Sequence, residues 1–213
     1  AIRIEQTDRG TLRMAASLDE FIRLPEGEKL PEKISELTGI TDEMLEKQGL
    51  DEADVVCDFE TLLDDTAGPV LLAAHNTQFD LLFTQAMADR YDRPCAELLA
   101  RADYLDTLTV YKDRRAYPHK LANAITAYKL EDKVQNSHRA LDDVAALFEV
   151  CKAMDDERAD LLEYVNIFGY NPKYGVGGPR IDGVTYWPQR FNKFMQSPSY
   201  TLPALAKGGR DHG

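Results

Sequence analysis

The chain has 213 residues, 44% of them hydrophobic, and 25 Lys and Arg against 37 Asp and Glu give it a net charge of −12. That length suits one good core, or one domain with a small appendage. The acidic balance excludes a plain phosphate-binding surface, and no apolar run approaches the roughly 18 residues of a membrane span.

The first elements follow from local patterns. Residues 2–7 and 11–24 read as two strands joined by the turn signal Asp8-Arg9-Gly10. Pro31 to Leu37 reads as a short helix with Pro at an N1-like position. Thr41 can cap a second short helix whose first turn holds Asp42 and Glu43. A longer helix from near Asp51 keeps Val55, Val56, Phe59, Leu62 and Leu63 on one face and ends at Asp64-Asp65, before Gly68-Pro69.

The run Val70 to Ala74 is apolar throughout, which predicts a strand buried on both faces at the centre of an α/β sheet. His75-Asn76 closes it, and a helix opens at Phe79-Asp80 with Leu81, Leu82, Gln85, Met87 and Ala88 at roughly helical spacing. Asp80 therefore sits where a central strand hands over to a helix, the place where chemistry gathers in open α/β sheets. Its bland reading is an N-cap. Residues 103–110, DYLDTLTV, alternate enough for a further strand, whose Asp106 either bonds backbone or contacts a metal. Tyr111 to Lys120 is basic and aromatic, either a face for nucleic acid or a solvated connector. A short amphipathic helix over 121–129 and a longer one from 139 to about 154 follow. The longer one begins HRALDDV, with His138, Asp142 and Asp143 near its first turn. For Asp142 and Asp143 the bland reading is favourable interaction with the helix dipole. The sum is an α/β fold with a mixed sheet flanked by helices.

The tail from Tyr164 changes character. It holds nine of the 19 aromatic residues, eight of the 13 Gly and five of the 10 Pro, so it reads as loop and strand rather than helix. It also carries six Lys and Arg against two acids, a net of +4, which leaves −16 on residues 1–163. Such an extension either packs its aromatics on the main domain or stacks them on single-stranded bases. The expected division is residues 1–155 as the main domain and 156–213 as an aromatic, Gly/Pro-rich C-terminal extension. Cys57, Cys95 and Cys151 are odd in number and far apart, which suggests free thiols in a reducing cytoplasm.

HNTQFD followed by HRALDD resembles the second and third motifs of the DEDDh 3′-5′ exonucleases, which include the proofreading epsilon subunit of DNA polymerase III and ribonuclease T. The third-motif pattern His-x-Ala-x-x-Asp falls on His138, Ala140 and Asp143, and the second-motif acid on Asp80. Leu30 to Leu45 resembles the Gly-Ile-Thr stretch of the family, and Leu105-Asp106-Thr107-Leu108 its Asp-Thr-Leu. Four pieces in order cover roughly residues 1–153. The resemblance implies a ribonuclease H-like fold, two Mg²⁺ or Mn²⁺ ions with Asp80 and Asp143 among the ligands, and His138 as general base. Ile40, Thr41, His75, Asn76 and Phe79 become candidate substrate contacts. The implied substrate is the 3′ end of single-stranded DNA or RNA, cut to nucleoside monophosphates, with a DNA polymerase as a possible partner.

One family motif, an Asp-x-Glu on the first strand, has no counterpart. Glu5 is the nearest acid, and the sequence begins at Ala1, at what resembles the family's second strand. The missing Met favours a piece of a longer chain over a relative that has lost the motif. Without those acids the expectation is weak metal binding and little activity. The alternative is a catalytically impaired nucleic-acid-binding or polymerase-associated module of the same fold.

Overall fold

The computed structural model describes residues 1–7, 10–64, 69–91, 95–134 and 140–189. His138, with its neighbours 135–139, lies outside them, as does the tail beyond 189. The class is mixed α/β: β1 (Ile2–Gln6), β2 (Leu12–Ser17), α1 (Glu32–Thr38), α2 (Asp42–Gln48), α3 (Glu52–Asp64), β3 (Leu71–Ala74), α4 (Thr77–Tyr91), α5 (Cys95–Arg101), β4 (Asp103–Asp106), α6 (Thr107–Arg114), α7 (Leu121–Ala127), α8 (Ala140–Glu157), a 3-10 turn (Leu161–Tyr164), β5 (Ile167–Tyr170) and β6 (Thr185–Pro188). No helix among the described residues is long and apolar enough to cross a membrane.

Among the described residues the strands form three two-stranded ladders: β1–β2 antiparallel, β3–β4 parallel and β5–β6 parallel. Asn166, in the left-handed conformation that Asn tolerates, joins the last two. Its N–H donates to the Tyr104 carbonyl at 2.7 Å, its side-chain oxygen accepts from the Tyr104 N–H at 2.9 Å, and its carbonyl accepts from Thr185 at 2.8 Å.

The strand buried on both faces is β4, not β3 as expected. Alternation sends Leu105 into one core cluster, with Val110, Ile125, Val150, Met154 and Tyr164, and Tyr104 into another, with Leu81, Leu99, Phe168 and Ile181. Each fully buried side chain of this kind contributes about 1.5–3 kcal/mol relative to exposure. In β3, Leu71 and Ala73 stay at the surface while Leu72 and Ala74 are half-buried.

Three further expectations need correcting. The second strand is short, Leu12–Ser17; beyond it the chain makes only a single bridge, Ile22 to Leu50. The strand over 103–110 stops at Asp106, and Thr107–Arg114 is a helix. The Asp106 side chain caps it, accepting from Leu108 N–H at 3.2 Å, and this overrides the β-propensity of two threonines and a valine.

The basic stretch after it is not a solvated connector: Tyr111, Asp113 and Arg114 are buried. Arg114 is wholly buried and donates to the Met154 carbonyl and the Asp160 carboxylate, both at 2.6 Å, and to Glu157 at 3.3 Å. Tyr164 donates to Asp113 at 2.8 Å. These bonds tie α6 to the C-terminal end of α8 and to the turn after it, and they meet the requirement that a buried charge be paired.

Other local expectations hold. Thr41 caps α2, accepting from Met44 N–H at 3.2 Å. In α3, Val55, Val56 and Leu63 are buried. In α8, Ala146, Leu147, Val150 and Met154 face inward at helical spacing.

Candidate active site

The chain leaves the parallel pair β3–β4 at one end, and both strands hand over to helices there. Asn76 sits in the left-handed region at φ 82°, turning the chain from β3 into α4. The N–H groups of Asn76 and Thr77, which begin that helix, donate to Asp106 Oδ1 at 2.9 and 3.2 Å. Asp106 Oδ2 accepts from the Thr109 hydroxyl at 2.7 Å. Asp106 therefore serves the starts of α4 and α6 together. Four donors meet this carboxylate, three on Oδ1 and one on Oδ2, and it is only 5% exposed, so it is engaged in holding the two helix starts.

That arrangement relieves Asp80 of the capping role. It stands in the first turn of α4, exposed, with no side-chain hydrogen bond to another described residue. Crowding by neighbouring protein atoms raises its pKa most; its own N–H lowers it and the charge of Asp106 raises it further. Beside it, Phe79 is 57% exposed and stacks on the exposed Phe83 with ring centroids 4.8 Å apart.

His75 faces inward. Its Nε2 lies 2.8 Å from the His119 carbonyl, which can only accept, so Nε2 carries the hydrogen. Nδ1 lies 3.0 Å from the Thr107 hydroxyl, whose single proton it shares with the Ala74 carbonyl, also at 3.0 Å. Both nitrogens are thus committed within the protein. Desolvation holds the pKa of His75 below its usual value, against the raising effects of the His119 bond and of Asp106.

Asp143 is half-buried in the first turn of α8. Ile40 is half-buried between α1 and α2, and the Thr41 side chain is used in its cap. The structure brings Asn76, Phe79 and Asp106 together around one cavity. Lys112, Tyr170, Asn171 and Tyr186 also line it; the sequence named none of them individually as site residues. The basic-aromatic character of 111–120 is the signal for Lys112, and the aromatic, basic tail from Tyr164, with its alternative of stacking on single-stranded bases, is the signal for Tyr170 and Tyr186.

Carboxylate oxygens are the ligands that a hard divalent cation takes. Asp80 and Asp143 offer carboxylate oxygens, and a cation beside Asp80 would offset the crowding that disfavours its charged form. Among the described residues no three such side chains gather, so water and substrate oxygens would complete the coordination.

Residues 1–151 match the family model described as Exonuclease. The chain belongs to that exonuclease family, with a DnaQ-like, ribonuclease H-like fold. A curated relative, a PolC-type DNA polymerase III from Latilactobacillus sakei subsp. sakei (strain 23K), is 32% identical over 168 residues, covering 77% of this chain and 11% of the relative. A second protein of that name, from Mycoplasma genitalium (strain ATCC 33530), is 34% identical over 124 residues, covering 57% of this chain and 8% of the relative. The chain thus spans about a tenth of the length of these relatives. The exonuclease match includes Asp80, His138 and Asp143 and ends inside α8, ahead of β5 and β6.

Proposed function

We propose that this chain is a 3′-5′ exonuclease that hydrolyses single-stranded DNA or RNA from its 3′ end to nucleoside monophosphates. Asp80 and Asp143 would hold Mg²⁺ or Mn²⁺, with His138 as general base. The observation that carries this reading is the division of labour between Asp106 and Asp80. One carboxylate takes the N–H groups of Asn76, Thr77 and Leu108 at the two helix starts, and the other is left exposed, bonded to no other described residue, with a raised pKa.

A bound divalent ion supplies positive charge for the phosphate in the transition state and acidity for the attacking water. Asp80 is delivered to the reacting end of the strand by a helix whose start is pinned to β4, so its position is set before substrate arrives. His138, as a neutral imidazole, would accept the proton of the attacking water. Because the relatives carry the name DNA polymerase III, a polymerase is the partner we propose beside this domain.

The test is a 5′-labelled single-stranded oligonucleotide incubated with the chain in Mg²⁺, Mn²⁺ or EDTA. The reading expects a metal-dependent ladder shortening from the 3′ end, and no ladder with His138→Ala. Binding without shortening would replace it with a catalytically impaired module.

A further inference from the structure

A cavity of about 430 Å³ lies beside the first turn of α4, the turn that carries Asp80, walled on one side by α4 and α6 and on the other by β5, β6 and the chain between them. The second wall lies beyond the stretch matched to the exonuclease family. Its volume is in the range of small-ligand sites.

The two walls are fastened to one another. Gln78, in the first turn of α4, donates through its amide nitrogen to the carbonyls of Gly177 at 2.6 Å and Pro179 at 2.8 Å. Gly169 N–H donates to the Thr109 hydroxyl at 2.7 Å, and Gln189 to the Thr109 carbonyl at 2.8 Å. Gly178 is in the left-handed region at φ 73°, and a Cβ there would meet Leu82 at 3.4 Å. The glycine wall is therefore bare backbone held against α4.

The lining has two chemistries. Phe79, Tyr170 and Tyr186 supply aromatic surface. Lys112 supplies the cation. It is half-buried, and among the described residues its amine makes no hydrogen bond or ion pair. The groups that act on it or on which it acts are Asp106, whose carboxylate is spent on four donors, and the rings of His75 and His119, both held neutral mainly by desolvation. The cavity thus presents an amine with no hydrogen bond or ion pair among the described residues, though within the field of Asp106, beside aromatic faces, a pairing that fits a phosphate and a base.

We propose that this cavity holds one nucleotide of a single strand, with a backbone phosphate on Lys112 and its base against the aromatic wall, next to the nucleotide presented to Asp80. Phe79 and Asp80 are consecutive on α4 and so point roughly 100° apart around its axis, which separates the cavity from the cleavage position without parting them by more than a residue. The placement next to the cleaved nucleotide rests on the exonuclease reading; strand binding in the cavity does not.

The experiment is fluorescence anisotropy of labelled eight-residue dT and U oligonucleotides with the full chain in EDTA, across a salt series, so that no hydrolysis is needed. Lys112→Gln is expected to raise Kd about three- to tenfold at low salt. It should also lower the slope of log affinity against log salt by about 0.7, one single-strand phosphate contact. Lys112→Arg is expected to restore both, which a merely structural lysine would not require. Gln78→Ala, which unfastens the glycine wall, is expected to weaken binding without changing the salt slope.

If Lys112→Gln binds within twofold of wild type with an unchanged slope, or if the wild-type chain binds neither oligonucleotide, the cavity is not a strand site. Binding that depends on Lys112 in a chain that never hydrolyses would sink the exonuclease reading and keep this one. Hydrolysis with binding indifferent to Lys112 would do the reverse.

Discussion

Two helices start at the same end of one parallel strand pair, and the carboxylates at their starts, Asp106 and Asp80, are used in opposite ways. In α6 and the residue before it, Asp106, Thr107, Thr109, Asp113 and Arg114 are all buried and turned inward to carbonyls, carboxylates and N–H groups. In the first turns of α4, Phe79, Asp80 and Phe83 are turned outward. Asp106 spends its carboxylate on holding the fold, whereas Asp80 is withheld from it, although Thr77 and Gln78 of the same helix are bonded. A charged residue that the fold uses is weak support for function, whereas a carboxylate that the fold has relieved of duty, at a cost in desolvation, is stronger support.

Breaking the inward set should cost most. Arg114→Ala leaves Asp160 and Glu157 facing a buried gap, and we expect a loss of about 3–5 kcal/mol in urea unfolding. Asp106→Ala strands four donors at the two helix starts and should cost about 2–3 kcal/mol in the same measurement.

His75, which ties β3 to α6 and to His119, links stability to pH. Its folded pKa lies below the ordinary 6.5, so its contribution is complete above that value. It is lost as pH falls through 6.5 toward the lower folded pKa, because the unfolded chain then binds the proton first. His119 shifts the same way, for the same main cause. Thermal melts should fall in temperature from pH 7.5 to 5.5, with a shallower slope in His75→Gln. On the outward helix, Phe83→Ser should change stability by less than about 0.5 kcal/mol, since that ring is 65% exposed.

Local patterns carried much of the fold. The Thr41 cap, the apolar face of α3, the strand before His75 and the inward face of α8 each rest on residues a few positions apart, where periodicity and capping speak directly. What escaped depends on distant partners. Burial of β4 rather than β3 is decided by β5 and α6, not by the apolar run itself. Arg114 reads as a surface cation until Asp160, 46 residues on, is brought to it. The start of α4 is capped from Asp106, 30 residues away, so a sequence window around Asp80 cannot tell whether that acid caps its helix. The candidate acids were legible because their motif is compact. The lysine and the glycine wall of the adjoining cavity were not, because the fold assembles them from α6 and from the chain after β5.

The division of labour can be tested in one paired measurement: Asp80→Asn and Asp106→Asn, each assayed for melting temperature and for the metal-dependent rate of 3′-end hydrolysis. Asp80→Asn should melt at the wild-type temperature or above it, because the neutral amide escapes the crowding and the Asp106 charge that raise the pKa of Asp80. Its rate should fall by about a hundredfold or more, as expected for loss of a metal-holding carboxylate. Asp106→Asn should lower the melting temperature. A cooler melt in Asp80→Asn, a rate within about threefold of wild type, or a wild-type chain with no metal-dependent hydrolysis would contradict the assignment of Asp80 to chemistry.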